Sequence, residues 1–182
     1  MEKQTLERLS LLIDRTHLRQ GIREMAQRID QDFPDVGSME SEPLMVVVLK
    51  GGFIFAADLL TFMNRPVPVI FAAPRMVDGA VMMSREDESL IAGRNLIVVD
   101  ILLDSGISQK RLCDSLRTHN PASIRLAVLL HKTVAETEDL AIDYLGFEVP
   151  DVRLVGYGLD ENQRFRGMDG IYTWWTPGKR IF

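Results

Sequence analysis

Asn95–Leu116, NLIVVDILLDSGISQKRLCDSL, is the stretch whose reading decides the fold. The apolar run Leu96–Val99, closing on Asp100, predicts a buried strand, and a helix follows the polar turn Asp104-Ser105-Gly106-Ile107-Ser108. A strand that empties into such a turn at a helix start is suited to an anion. Successive backbone N–H groups, with the unpaired N–H groups of the first helical turn, form a concave donor site of positive potential. Ser105 and Ser108 add hydroxyl donors, and Gly106 lets a ligand approach the backbone closely. An acid or serine before a helix also serves as a plain N-cap, so the turn alone does not separate a ligand site from a cap.

Working outward toward the N-terminus, Leu44–Leu49 (LMVVVL) is a continuous apolar run, as expected of a central strand covered on both faces. It stops at Lys50-Gly51-Gly52, and Phe53–Met63 resumes helical spacing, which repeats the order strand, glycine turn, helix. Farther upstream, Leu18, Ile22, Met25, Ala26 and Ile29 predict an amphipathic helix ending before Pro34, preceded by a short helix or strand. Val67–Ala72 reads as a strand. Asp78-Gly79 is a hairpin signal with short apolar arms, and Arg85–Glu88 reads as a charged surface segment.

Toward the C-terminus, Ile124–Leu130 predicts a strand ending at His131-Lys132, and Glu136–Asp139 a solvated loop. Tyr144–Val149 and Val152–Tyr157 read as short strands separated by Pro150-Asp151. The tail contains Ile171–Trp175 and Lys179–Phe182, with Trp174-Trp175 expected in the core or at a subunit interface. Strands alternating with helices at this spacing predict an α/β fold with a central parallel sheet flanked by helices. In such sheets ligands bind beyond the carboxyl ends of the strands. Lys50-Gly51-Gly52, Asp100–Ser108 and His131-Lys132 all fall there.

The 182 residues are expected to form one domain with a substantial core. Lys plus Arg number 21 against 26 Asp plus Glu, so no nucleic-acid partner is expected from a net charge of −5. The one cysteine, Cys113, falls at core spacing with Leu116, which excludes an internal disulfide and favours a reducing compartment. No apolar run is long enough to span a bilayer, and MEKQTLERLS lacks a signal-peptide apolar region, so no membrane partner and a cytoplasmic location are expected. His17, His119 and His131 show no metal-ligand spacing.

With those turns in place, the chain resembles the hypoxanthine-guanine phosphoribosyltransferase family over nearly its whole length. LKGGF (Leu49–Phe53) is similar to the family's pyrophosphate loop, and GRNLIVVDILLDSGIS to its phosphoribosyl-pyrophosphate motif. LLHK (Leu129–Lys132) and LGFEVPDVRLVGYGLDENQRFR (Leu145–Arg166) are similar to its base-binding and C-terminal segments. The fold implied is that of a type I phosphoribosyltransferase, one domain over 1–182, with a small hood from parts of 1–42 and 150–182. The chemistry implied is transfer of 5-phosphoribose from its 1-pyrophosphate to N9 of a 6-oxopurine, hypoxanthine or guanine. Mg2+ is implied as the cofactor because the leaving pyrophosphate is highly charged.

By position, the resemblance implies that Asp104, Ser105, Gly106, Ile107 and Ser108 hold the 5′-phosphate, and that Asp104 acts on N7 of the base as general acid or base. Lys132 would donate to the exocyclic oxygen, the backbone of Leu154 would meet the base edge, and Arg153 would take the base-stacking position. Asp100 would meet the ribose and metal. Asp160 would hold magnesium directly or through water, and Lys50, Gly51 and Arg166 would meet pyrophosphate. A homodimer or homotetramer is implied as well.

Three departures stand out. The family pattern has two adjacent acids at the ribose; counting from Gly93, these positions are Asp100 and Ile101, so the second is missing. A charged acceptor to a sugar hydroxyl contributes about 1.5–3 kcal/mol, so its loss implies about ten- to a hundredfold in affinity or rate. The segment Phe71–Met83 is short and lacks the family's Ser-Tyr pair, with Arg75 in its place, which bears on closure over the reaction. Arg153 replaces an aromatic ring. An active salvage enzyme is the leading expectation. The alternatives are a phosphoribosyltransferase-fold protein that binds a nucleotide or phosphoribosyl pyrophosphate without turnover, and an enzyme with a changed base preference.

Overall fold

A computed structural model describes residues 9–34, 42–74, 81–133 and 140–174. The described residues begin with β1 (Leu9–Ile13) and α1 (Arg15–Asp32). Asp14 caps α1, its carboxylate accepting from the His17 N–H at 3.0 Å, which satisfies a donor left open by the first turn. The buried stripe of α1 is Leu18, Ile22, Met25, Ala26 and Ile29, at the spacing expected from the sequence. The helix stops at Phe33, where Pro34 disfavours helical backbone in the residue before it.

Then follow β2 (Leu44–Val48), α2 (Phe53–Phe62), β3 (Val69–Pro74), β4 (Val81–Met82), α3 (Arg85–Ser89), β5 (Asn95–Leu103), α4 (Ile107–Arg117), β6 (Ser123–Lys132) and β7 (Tyr144–Val149). β8 (Leu154–Val155) and β9 (Ile171–Trp174) come last. The main sheet has the order β4-β3-β2-β5-β6-β7 and is parallel except for the β3/β4 pair. All five residues of β2 are buried, as a central strand covered by α1 and α2 on one face and α4 on the other requires. A second, antiparallel sheet of order β1-β9-β8 joins the N-terminal strand to the C-terminal segment and forms the small hood. The architecture is thus the expected α/β fold with a mostly parallel sheet.

Four details differ from the sequence reading. β5 runs on to Leu103, so Asp100 lies inside the strand rather than at its end; Ile101–Leu103 are apolar and extend the ladder against β6 through the Leu103–His131 pair. β6 likewise includes His131 and Lys132. Arg85–Ser89 is a short helix, because Ser84 caps it by accepting from the Asp87 N–H at 3.0 Å and three acids occupy its first turn. The two strands flanking Pro150-Asp151 belong to different sheets, and the second is only two residues long. The Asp78-Gly79 turn, Arg75, the loop 136–139, Trp175 and Lys179–Phe182 lie outside the described residues; β3 and β4 on either side of the turn do pair antiparallel.

Candidate active site

The strand order fixes where a ligand can enter. β2 is followed in sequence by β3 on one side, whereas β5 lies on its other side and leads to β6 and β7. The order therefore reverses between β2 and β5, and a crevice forms beyond their carboxyl ends. Lys50-Gly51 leaves β2 at this crevice, and the turn Asp104–Gly106 leaves β5 beside it.

The phosphate-type turn is built as its residues dictate. Gly106 is the N-cap of α4, with φ +76, a left-handed conformation that costs glycine nothing, and it offers no side-chain cap. The backbone donors of the helix start thus carry the positive end of the helix dipole.

Sheet register then assembles a charged cluster. Leu103 pairs with His131, so the next residues, Asp104 and Lys132, are neighbours. Lys132 also pairs with Val149, two residues before Asp151. The Lys132 Nζ donates to Asp104 Oδ2 at 2.8 Å and lies 3.1 Å from Asp151 Oδ1. Its side chain is only 12% exposed, whereas Asp104 is 59% exposed. Burial alone would pull the Lys132 pKa down, but the bonds to Asp104 and Asp151 outweigh it and hold the group above the ordinary lysine value. The ammonium is therefore charged, and of its three protons two are directed at carboxylates. Asp151 falls in the Pro150-Asp151 break between two strands, and its place just past a strand beside β6 is the signal that could have found it.

The pyrophosphate-type loop carries a cis Leu49–Lys50 peptide. The loop 156–166 closes against it. Gly158 has φ +104, and a Cβ there would stand 2.3 Å from the Gly51 carbonyl oxygen, so only glycine permits this approach. Within the same loop the Arg166 guanidinium donates to Gly158 O at 2.6 Å and pairs with Asp160 Oδ1 at 2.6 Å. Asp160 Oδ2 accepts from the Gln163 N–H at 2.8 Å, and Gln163 Oε1 accepts from Lys50 Nζ at 3.4 Å. Lys50, Gly51, Asp160 and Arg166 are thereby brought into one neighbourhood, with Gln163 as a linking residue that sequence reasoning missed.

Arg153 precedes β8 and pairs with Glu161, while its carbonyl accepts from the Trp174 N–H at 2.7 Å. Leu154 lies in β8, opposite Thr173 of β9. The Trp174 ring packs on Phe165, with centroids 5.1 Å apart.

Asp100 and Ile101 depart most from the open site that adjacent acids would make. Ile101 is 2% exposed and sits in the core on the α1/α2 side of the sheet. Its Cγ2 lies 2.7 Å from where a Gly51 Cβ would be. Asp100 points to the opposite face and is 8% exposed. Its Oδ2 accepts from Gln109 Nε2 at 2.7 Å and its Oδ1 from the Ile101 N–H, also at 2.7 Å. Burial pushes the Asp100 carboxyl up to about 6, against the lowering effect of these hydrogen bonds.

The donor set bears on a divalent cation as follows. Among the described residues no group of three or more His, Cys, Asp or Glu forms a protein-only cage. Asp160, at the mouth of the loop, suits a hard cation that keeps waters and takes its other ligands from phosphate oxygens. Asp100, buried and bonded to Gln109, does not.

Comparison with known proteins agrees with this architecture. The model of the phosphoribosyl transferase domain family matches residues 13–162. A hypoxanthine-guanine phosphoribosyltransferase of Aquifex aeolicus is 33% identical over 173 residues, 91% of this chain and 94% of the relative. That of Bacillus subtilis is 28% identical, covering 94% of each chain. The crystal structure of a hypoxanthine-guanine phosphoribosyltransferase from Bacillus anthracis superposes with a TM-score of 0.81 at 30% identity, covering 91% of this chain and 98% of the other. With this sheet order, these loops and these relatives, the chain belongs to the phosphoribosyltransferase family, among the hypoxanthine-guanine phosphoribosyltransferases.

Proposed function

We propose that the chain is a purine-salvage transferase that moves 5-phosphoribose from phosphoribosyl pyrophosphate to N9 of hypoxanthine or guanine, giving IMP or GMP and pyrophosphate. The observation that carries this reading is the Asp104–Lys132–Asp151 cluster beside the turn that begins α4. In the forward direction the N9 lone pair attacks C1′ and pyrophosphate leaves with the C1′–O electrons. The N7 proton passes to Asp104. Lys132, held between two carboxylates, has a third proton for the exocyclic oxygen of a 6-oxopurine. A 6-aminopurine presents a donor at that point and would leave the ammonium unmatched.

The turn 104–108 serves the 5′-phosphate, the Leu154 backbone the base edge, and Lys50, Gly51 and Arg166 the pyrophosphate. Arg153, tied to Glu161, offers its guanidinium plane to the base. Mg2+ supplies charge neutralisation of the leaving pyrophosphate when bound. Asp160 is the residue that would hold it, Arg166 orienting that carboxylate. Asp100, bonded to Gln109 and to the Ile101 N–H, fixes the strand rather than serving as an open acceptor for the ribose.

The chain reads as one domain over 1–182 working in the cytoplasm; no helix among the described residues is long and apolar enough to cross a membrane. A homodimer or homotetramer is supported by the apolar groove of about 480 Å³ lined by Leu49, Phe53, Leu60 and Phe71, where Phe53 and Phe71 are exposed. The deciding experiment is a pyrophosphate-release assay with hypoxanthine, guanine, xanthine and adenine in the presence of Mg2+. Release with the first two and little with adenine is expected. Saturable nucleotide binding with no release from any base would overturn the proposal in favour of a binding protein.

A further inference from the structure

Among the buried polar contacts that the reaction residues leave unused is that of Gln109 with Asp100. Gln109 stands in the first turn of α4 and is 7% exposed, on the stripe it shares with Leu112, Cys113 and Leu116. A buried carboxamide is costly unless its hydrogen bonds are made. Here the Nε2 donates to Asp100 Oδ2 at 2.7 Å and to the Leu102 carbonyl at 3.1 Å. Asp100 in turn accepts the Ile101 N–H. These bonds tie the last residues of β5 to the first residues of α4, and Asp104-Ser105-Gly106 is the chain that spans the gap between them. The N-cap, Gly106, makes no side-chain bond to the helix start. A methionine would fill the same volume without desolvating an amide, whereas the Gln109–Asp100 pair fixes a distance.

We propose that Gln109 is a positioning residue that holds the end of β5 and the start of α4 at the separation where the donors of the turn converge on a phosphate. This deepens the reading of the turn as the 5′-phosphate site and rests on it. A pre-set donor cradle binds a dianion without first having to order itself. Loosening the brace therefore weakens ligands that carry the 5′-phosphate and spares those that lack it.

The test is Gln109→Met, with Cys113→Ala as a control that disturbs the buried face of α4 away from the brace. Steady-state kinetics and calorimetric binding of GMP and guanosine are measured on each. Gln109→Met is expected to raise the KM for phosphoribosyl pyrophosphate and the Kd for GMP by about ten- to a hundredfold. Its kcat should move less than about threefold, its guanosine binding should stay as in the unmodified protein, and Cys113→Ala should leave the KM unchanged. Should Gln109→Met fail to fold, Gln109→Asn, whose amide falls one methylene short of Asp100, must show the same split. An unchanged KM, a parallel loss of GMP and guanosine, or an equal KM rise in Cys113→Ala would each overturn the assignment of Gln109 alone. An unmodified protein that binds no GMP would overturn the phosphate reading and this inference with it.

Discussion

Asp100 and Asp104 are four residues apart on one strand and the turn after it, yet they occupy opposite environments. Asp104 is 59% exposed and paired with Lys132, while Asp100 is 8% exposed, held by Gln109, and has its pKa pushed up to about 6. The contrast comes from the sheet: inside β5 a side chain is covered on whichever face it points to, and the chain reaches solvent only after Leu103. One carboxylate is open to solvent and the other is tied into the scaffold. The residue beside the buried acid, Ile101, packs against the Gly51 loop, so the stretch is apolar at Ile101 where it is charged at Asp104.

The largest effect expected from this division is at Asp104. Asp104→Asn should lower kcat with hypoxanthine by about 10²–10⁴, with the urea midpoint unchanged because the side chain is exposed. A variant with full turnover would remove the distinction between the two acids.

The division is probed from its other side by placing an acid at position 101. Ile101→Asp places a charge where the side chain is 2% exposed, and it should lose about 2–5 kcal/mol of stability by urea unfolding. No loss would mean that position 101 opens to water, and the comparison would fail there.

A smaller effect lies in the pH dependence of folding. The folded pKa of Asp100 is raised above its ordinary value of 3.8, to about 6, so the folded state binds the proton more tightly than the unfolded chain. Its contribution is fully present below about pH 3.8 and is lost as pH rises through about 6, on the order of 3 kcal/mol in all. Unfolding measured at pH 4 and 7 should show this fall in the unmodified protein relative to Asp100→Asn. Equal pH dependence in the two would place Asp100 in contact with water.

The smallest effect concerns choice of base. Lys132→Met should reduce the preference for hypoxanthine over adenine by about ten- to a hundredfold, read as the ratio of kcat/KM values. Both of its carboxylate partners are exposed, so little stability should be lost. An unaltered ratio would shift base selection from Lys132 to the backbone near Leu154.

Much of this was legible in the residues. The five buried apolar residues of β2, the stripe of α1 and the strand–turn–helix order around Asp104 follow from periodicities that a local backbone imposes, and they led to the α/β fold. The resemblance of LKGGF, DSGIS, LLHK and GFEVPD located the turns in which the site would be sought. Strand ends were less legible: β5 runs on to Leu103 because Leu102 and Leu103 pair with Leu130 and His131 of β6, residues 28 apart, and β6 runs on to Lys132 because Lys132 pairs with Val149 of β7. Gln109 gave only the faint signal of a polar residue on a buried stripe, and nothing local tells which carboxylate it meets.

By itself, then, the sequence determined the alternation of strands and helices, the glycine turns and the family, since each depends on neighbours along the chain. Tertiary structure alone decided that Lys132 lies between Asp104 and Asp151, that Gly158 closes on Gly51, and that Asp100 faces α4 while Ile101 seals the other side. Those facts depend on sheet order and register, which bring together residues that no local propensity links.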